Sequence, residues 1–515
     1  MSDHEERAEE TGPAQDAPPH ELAPESGDYF PTFRRMGRAV LGWRGFRTLR
    51  RACKVVLKGL LLLLIILALA HVGATVYLGA RLKAELRKLA ASGGVVNFMD
   101  GIPPPVPEDQ NAAPLYLKAA QILEDRDKQF FEKQGRPGDR GERYDIDFSQ
   151  PVDLARLSAM VRQDADVLEL LRRATLLPKC RFDTNWEDVL GALFPHYAKM
   201  RRVARFLRTA TIEAALRGDP TEALDRARIG FILSRRMLGE PVLIAQLVAW
   251  AIDGIVARGV MCVVERGVVP EDAARRLAEE IAKDDLIAAH ARAMQMERAA
   301  GLWAFEQMRR RPVWVGTVLG NLTSESGLRL WLWKLWGNVG RPLLYANELV
   351  YLDYMEQAIQ AAKLPWREGA WRQMQAAAEK IPFWAPLARL VTPVFTRVGQ
   401  KRDRVIAARA MLVTALAIEV YRQRTGHLPA SLVALKAEVP WAMTQDVFSG
   451  HDLIYRPRDG GYLLYSIGPN LKDDGGKPLI DQKRALGQVV PQVVKDPNAG
   501  DLVWLPQLWR SKPRS

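Results

Sequence analysis

Cysteine is scarce, with three in 515 residues, at positions 53, 180 and 262. That excludes a disulfide framework and a zinc site of four cysteines. Histidine is nearly as thin: the seven (4, 20, 71, 196, 290, 427, 451) never fall in a ligand spacing such as His-Glu-x-x-His. The Gly-x-Ser-x-Gly elbow of one class of serine hydrolase is missing. No glycine-rich phosphate loop precedes a helix; Gly460 and Gly461 belong to a hairpin turn instead. Cys180 and His196 are a conceivable nucleophile and base, but one Cys and one His in a chain of this length assign nothing. Asp284-Asp285 lies in a charge-alternating helical stretch and reads as a solvated face. No residue receives a catalytic role from the sequence.

What the chain does contain is mixed. Hydrophobic residues make up 48%, and 73 Lys/Arg face 60 Asp/Glu for a net charge of +13. This is too apolar for a disordered chain and too charged for a multi-pass membrane protein. At 57.8 kDa there is room for two or three domains. Residues 1–33 carry nine acids against the single base Arg7, which predicts a disordered acidic tail. The balance inverts over residues 34–58, with nine bases and no acid.

Residues 59–78, GLLLLLIILALAHVGATVYL, then run for twenty positions without a formal charge. At about 1.5 Å per residue they reach across the ~30 Å hydrocarbon core. Six leucines and two isoleucines in the first ten positions argue against a buried core helix. The long apolar core, and the residues preceding it, argue against a cleaved signal peptide. His71 within the span reads as a neutral residue rather than a proton relay.

Nine bases before the span, against four after it (Arg81, Lys83, Arg87, Lys88), predict a single-pass protein of a bacterial inner (cytoplasmic) membrane. Its N-terminus is then cytoplasmic and its C-terminal part extracytoplasmic. The basic segment also suits anionic lipid at ~1 kcal/mol per charge; a topology signal alone explains it equally well. Residues 79–515 keep 63 Lys/Arg against 51 Asp/Glu. The partners this implies are the lipid bilayer and anionic lipid or acidic wall polymer, not nucleic acid. Cys180 and Cys262 would face an oxidising space, though no spacing says whether they pair.

Residues 79–402 read as an irregular helical domain. A proline-rich connector (Ile102–Pro107) precedes apolar spacings at i, i+3, i+4 over Ala113–Glu124 and Val152–Leu176. The polar stretch Asp125–Gln150 between them reads as a surface loop. Around Tyr197–Gly239, two helices flank Gly218-Asp219-Pro220-Thr221-Glu222, which offers a helix stop, an N-cap, a first-turn proline and an acid. The unit looks like one tetratricopeptide-type hairpin; no second copy follows at a fixed period. Val242–Val264 is apolar enough to raise a second span. Asp253 and Arg258 interrupt it, each at ~2.5–3.5 kcal/mol in a bilayer, so a buried core helix is the better reading. Eight of the fourteen tryptophans fall between Trp303 and Trp384. Among them Trp331, Trp333 and Trp336 suit a membrane interface; filling a core is the alternative.

The last part, 403–515, reads as a small α+β module. A strong helix (Asp403–Arg424) precedes strand patterns at Asp452–Arg456 and Tyr462–Ile467, joined by Asp459-Gly460-Gly461, with a last strand over Asp501–Leu505. The fold class is therefore mainly α: a single transmembrane helix, a helical domain with a TPR-like hairpin, and a C-terminal module with an antiparallel sheet.

The order Tyr421-Arg-x-x-x-Gly426-x-Leu-Pro429, Asp446-x-Phe448-x-Gly450, Ile454-Tyr-Arg456, Tyr462-x-x-Tyr465-Ser466-x-Gly468, Asp473-Asp474-Gly475-Gly476 and Asp501-Leu502-Val503 resembles the globular part of the major pseudopilin of type II secretion. The likeness covers about 100 residues. It implies a helix packed on a small antiparallel sheet, with calcium held in an acidic loop. Asp473, Asp474, Asp481, Asp496 and Asp501 would supply carboxylates and Leu471 a carbonyl, since calcium takes six to eight oxygens. Two features depart from the family. Arg50 stands where pseudopilins have a glutamate five residues into the apolar helix. The family loop reads Gly-x-Asp-Gly, whereas this chain has Gly468-Pro469-Asn470-Leu471. A solvated acidic turn closed by lysines 472, 477 and 483 is the alternative. As a whole, the layout is similar to large bacterial single-pass membrane proteins.

Two functions remain open. One is a non-catalytic, membrane-anchored scaffold of the cell envelope that binds protein partners. The other is an envelope enzyme acting on a lipid or wall substrate in a helical cleft.

Overall fold

A charge-free run of leucines with no proline is a strong helix former, and it becomes part of the longest helix, α1 (Trp43–Ala91). The structure, a computed structural model, describes residues 43–136, 141–148, 152–186, 189, 194–310, 340–479 and 499–504. Trp331, Trp333, Trp336, Asp481, Asp496 and the acidic tail lie outside the described residues. The chain divides between Gly73 and Ala74. Before that point the aliphatic side chains of α1 are exposed (Leu62 60%, Ile65 48%). After it, Leu82 is buried, and a Cβ on Gly79 would stand 3.5 Å from the Tyr345 ring.

The second body is built around α5 (Pro195–Arg217), α6 (Pro220–Leu238) and α7 (Leu243–Glu265), which pack on one another. The junction of the first two is capped as its sequence predicts. Gly218 closes α5 at φ 92°, and the Asp219 carboxylate accepts the Glu222 N–H. Small residues let the backbones approach: a Cβ on Gly230 would meet Val256 Cγ2 at 2.5 Å, and one on Gly259 would meet Thr211 at 2.9 Å. α7 is largely buried; Arg258 is exposed, and the buried acid Asp253 is matched. Asp253 pairs with Arg409 (Nη2–Oδ2, 2.7 Å), which also reaches Asp284 at 2.9 Å. Asp284 is therefore no solvated residue; its side chain is 3% exposed. Only Asp285 faces water, and it accepts the Ala288 N–H at the start of α9 (Leu286–Arg310).

The polar stretch Asp125–Gln150 is also not a surface loop where described, and its first nine residues belong to α2 (Ala113–Lys133). Arg143, Tyr144 and Phe148 are buried. Arg143 donates to Asp127 (2.9 Å) and Asp164 (2.9 Å), while Arg126 donates to Asp164 (2.6 Å) and Asp166. Charged side chains enter a core when each finds a partner, and periodicity alone cannot show such pairing. The same Asp164 splits the helix expected over Val152–Leu176 into α3 (Leu154–Gln163) and α4 (Ala165–Leu176).

Helices α8 (Glu271–Ala282), α10 (Arg341–Ala362) and α11 (Ala370–Glu379) complete the helical layer. Helix α12 runs from Pro386 to Thr425, continuous across 402/403, and stops at Gly426 with φ 81°. It packs on α7, α8 and α10 as well as on the sheet. After the short α13 (Leu432–Glu438), whose Ser431 cap accepts the Ala434 N–H, come β1 (Ile454–Arg458), β2 (Gly461–Ser466) and β3 (Leu502–Val503). The sheet is antiparallel in the order β1-β2-β3, with Tyr455 opposite Leu464 and Tyr465 opposite Val503. The Asp459-Gly460 turn falls where the hairpin signal put it.

Candidate functional site

A cleft with convergent polar groups opens beside the turn between α6 and α7 and has a volume of about 490 Å³. One wall is the proline run 103–105. It is fastened by Arg181, whose Nε donates to the Pro103 carbonyl at 3.0 Å. Asn111 ties the strand-like segment 179–181 to the chain beside α2 through paired bonds with Arg181 (2.8 and 2.9 Å). Phe182 and Trp186 give the cleft aromatic surface, and Lys179, Arg181 and Arg236 give it positive charge. Arg236 donates to the carbonyls of Pro178 and Leu177. Carbonyl partners fix the guanidinium without cancelling its charge, so the cleft favours anions.

Under these cations sits Glu240, in the turn between α6 and α7. Its Oε1 shares a 2.9 Å hydrogen bond with His196 Nε2, and its Oε2 accepts the Tyr197 hydroxyl at 2.6 Å. His196 stacks on Phe182, ring centroids 4.4 Å apart. Burial, helped by the charges of Glu240 and Glu297, pushes the Tyr197 hydroxyl far up. Glu297 itself accepts the Leu243 N–H at 3.0 Å, and burial raises its carboxyl above the usual range.

Cys180 lines the same cleft. Burial is the main cause that holds its thiol up, at about 12, with the Glu240 charge adding to it. A thiol that stays protonated at neutral pH is a poor nucleophile, and His196 is engaged by Glu240. Cys180 lines the cleft and His196 lies behind its Glu240 and Phe182, with no hydrogen bond between Cys180 and His196. All three cysteines are free.

The C-terminal acidic loop is ordered by its carboxylates. Asp501 is fully buried and accepts the N–H groups of Asp474 (3.2 Å) and Gly476 (2.7 Å). Asp474 accepts the Asn470 amide (2.8 Å) and the Gly500 N–H (2.8 Å). Asp473 accepts the Gly475 N–H and the Tyr465 hydroxyl, both at 2.8 Å, and those bonds hold its carboxyl below the usual range. Leu471 adopts φ 59°, the one positive φ at a non-glycine among the described residues. Asp473, Asp474 and Asp501 therefore gather in one loop, but around N–H donors. Among the described residues no group of three or more His, Cys, Asp or Glu is arranged to hold a metal ion.

Glu240 and Arg236 were not identified from the sequence, and the prolines were read there only as a connector. A hint lay in Gly239-Glu240-Pro241, an acid in a tight turn between two apolar helices. Two described helices, α1 and Leu243–Glu265, are long and apolar enough to cross a membrane, the first near the N-terminus. No protein family, curated protein or solved structure matches this chain.

Proposed function

We propose that the protein is a single-pass anchor of a bacterial inner membrane, N-terminus cytoplasmic, that holds a helical domain on the far side as a non-catalytic scaffold. The observation carrying this is the exposed aliphatic surface of α1. At ~1.5–3 kcal/mol per leucine side chain left in water, that surface calls for lipid. The scaffold's own contact is the cationic cleft, whose prolines, aromatics and arginines suit an extended anionic segment of a protein partner or a wall polymer. In the Cys180→Ser, Cys262→Ser background, a membrane-impermeant maleimide applied to intact cells should label an introduced Ser92→Cys and leave Cys53 untouched. Labelling of Cys53 would overturn the orientation.

The C-terminal module is read as pseudopilin-like. Leu471 supports this, because it stands at the family's glycine position and adopts a glycine-like φ of 59°. The resemblance also makes Leu471, Asp473, Asp474, Asp481 and Asp501 calcium ligands, with the Asn470 amide as the group calcium must displace from Asp474. Binding to the native state alone stabilises by RT ln(1 + [L]/Kd). Melting the full chain in detergent should therefore show a calcium-dependent midpoint, enlarged by Asn470→Asp. Equal midpoints with chelator and with millimolar calcium, in both proteins, would reject the site.

A second reading, an envelope enzyme, is favoured by one observation: Glu240, His196 and Tyr197 converge beneath an open cleft, with the raised carboxyl of Glu297 close enough to act on Tyr197. Turnover of phospholipid or wall fragments by the purified chain, lost in Glu240→Gln and Glu297→Gln, would install this reading over the scaffold.

A further inference from the structure

A second cleft, of about 380 Å³, lies where α1 meets α10 and α11. Leu78, at the end of the twenty-residue apolar stretch, lines it together with Leu349 and Trp384. Arg81, one turn beyond Leu78, and Lys380 at the end of α11 line it too, as does Asp353 of α10. Neither Arg81 nor Lys380 meets a carboxylate at ion-pair distance among the described residues, and Asp353 accepts only the Gln357 amide, at 3.0 Å. Next to the cleft, the turn after α11 turns two aromatics outward: Phe383 is 84% exposed and Trp384 39%. A phenylalanine that exposed is costly in water and at home at a bilayer surface.

We infer that this cleft binds a phospholipid of the surrounding bilayer, with Phe383 and Trp384 resting in the interface beside it. The inference rests on the membrane-anchor reading. If α1 spans the bilayer, Leu78 marks the depth at which hydrocarbon gives way to head groups. The cleft then sits at the one level where its two halves are both useful. Its apolar wall faces acyl chain, and its cations face phosphate. The volume falls within the roughly 300–1,000 Å³ of small-ligand sites. The charge set is more specific than a basic patch. Two cations match one phosphate, and a carboxylate beside them accepts the amine of a zwitterionic head group. The occupant is therefore an amine-bearing phospholipid of the phosphatidylethanolamine type, rather than an acidic lipid, which Asp353 would repel.

The test uses the full chain purified in mild detergent and titrated with phosphatidylethanolamine or phosphatidylglycerol, with bound lipid counted by native mass spectrometry. Phosphatidylethanolamine should be preferred by the parent protein. At roughly fivefold per cation, Arg81→Gln with Lys380→Gln should lower its apparent affinity about 30-fold. Asp353→Asn should remove the preference between the two lipids without removing binding. All three side chains are exposed, and Arg81→Gln alone, at about fivefold, serves as a second measure with least risk to folding. Unchanged occupancy in the double variant overturns the site, as does a parent preference for phosphatidylglycerol. Carbonate extraction of membranes separates this failure from failure of the anchor. A chain that stays in the pellet while the variants bind lipid normally loses only the lipid site, whereas a chain that leaves the pellet loses both.

Discussion

Helix Leu243–Glu265 and the apolar part of α1 both have the length and composition of a membrane span, yet 61% of the first's most apolar window is buried and none of the second's. The difference lies in a few residues, not in overall apolarity. In the buried helix Asp253 has a cation waiting, Arg409, and Gly259 meets the α5 backbone so closely that a Cβ would stand 3.2 Å from the Arg208 carbonyl oxygen. Trp250 lies 6.0 Å, ring to ring, from His290 of α9. Along α1, Gly59 and Gly73 have nothing within 4 Å of an added Cβ. One charged residue and close-packed small ones mark a helix that needs protein around it; a charge-free row of leucines marks one that needs lipid.

The strongest way to break the contrast is to remove the cation. Arg409→Met leaves Asp253 and Asp284 buried without their partner, and stripping one side of a buried ion pair costs about 3–5 kcal/mol. Burial already raises both carboxyls, with the Arg409 charge opposing that rise. In detergent, the urea midpoint of the helical domain should fall sharply, whereas Leu63→Ala in α1 should move it by no more than ~0.5 kcal/mol. An Arg409→Met midpoint equal to the parent's would mean that the triad does not hold the helix in place.

A subtler probe is pH. His290 is almost fully buried beside Trp250, and burial, aided by the Arg402 charge, pushes its imidazole down from 6.5 to about 3. Folding therefore favours the neutral ring, so its contribution is complete above pH 6.5 and fades as pH falls toward 3. At about 1.4 kcal/mol per pH unit, the parent should lose roughly 3 kcal/mol between pH 6.5 and pH 4 that His290→Phe does not lose. Parallel stability profiles for the two proteins would show that His290 does not report on the packing around the buried helix.

The contrast between the helices was partly legible beforehand. Asp253 and Arg258 already argued for burial of 243–265, and the Gly218-Asp219-Pro220 junction and the Asp459-Gly460 hairpin were readable because caps and turns are local signals. Pairing at long range was not. Asp284 looked solvated because its partner, Arg409, is 125 positions away, and Asp125–Gln150 looked like a loop because the arginines that bring it inside belong to the same polar stretch. The cationic cleft was invisible for a similar reason. Pro103, Arg181 and the pair Arg236 and Glu240 come from three separate segments, and none carries a motif. The expected acidic loop did come together around Asp473, Asp474 and Asp501, yet composition could not tell whether those carboxylates face a cation or backbone N–H groups.

The smallest expected effect divides the two helices most directly, because it asks the same question of each. Alanine in place of glycine removes backbone freedom from the unfolded chain and favours helix by up to about 1 kcal/mol. At Gly259 that gain meets an obstacle. The new methyl would stand 2.9 Å from both Thr211 Cβ and Cγ2, with the Arg208 carbonyl oxygen at 3.2 Å. Neither the carbonyl nor the Thr211 Cβ can swing aside, since both belong to the body of α5, so the helices must separate. Overpacking of this kind typically costs 1–3 kcal/mol, and Gly259→Ala should be destabilising by about 1–2 kcal/mol after the helical gain is subtracted. At Gly73 the methyl meets nothing within 4 Å, so Gly73→Ala should leave the domain's urea midpoint unchanged and raise helicity slightly. Equal effects at the two positions would mean that the helices share one environment, and the lipid assignment of α1 would lose its basis. A loss at Gly259 with none at Gly73 is what close packing on one side and open hydrocarbon on the other require.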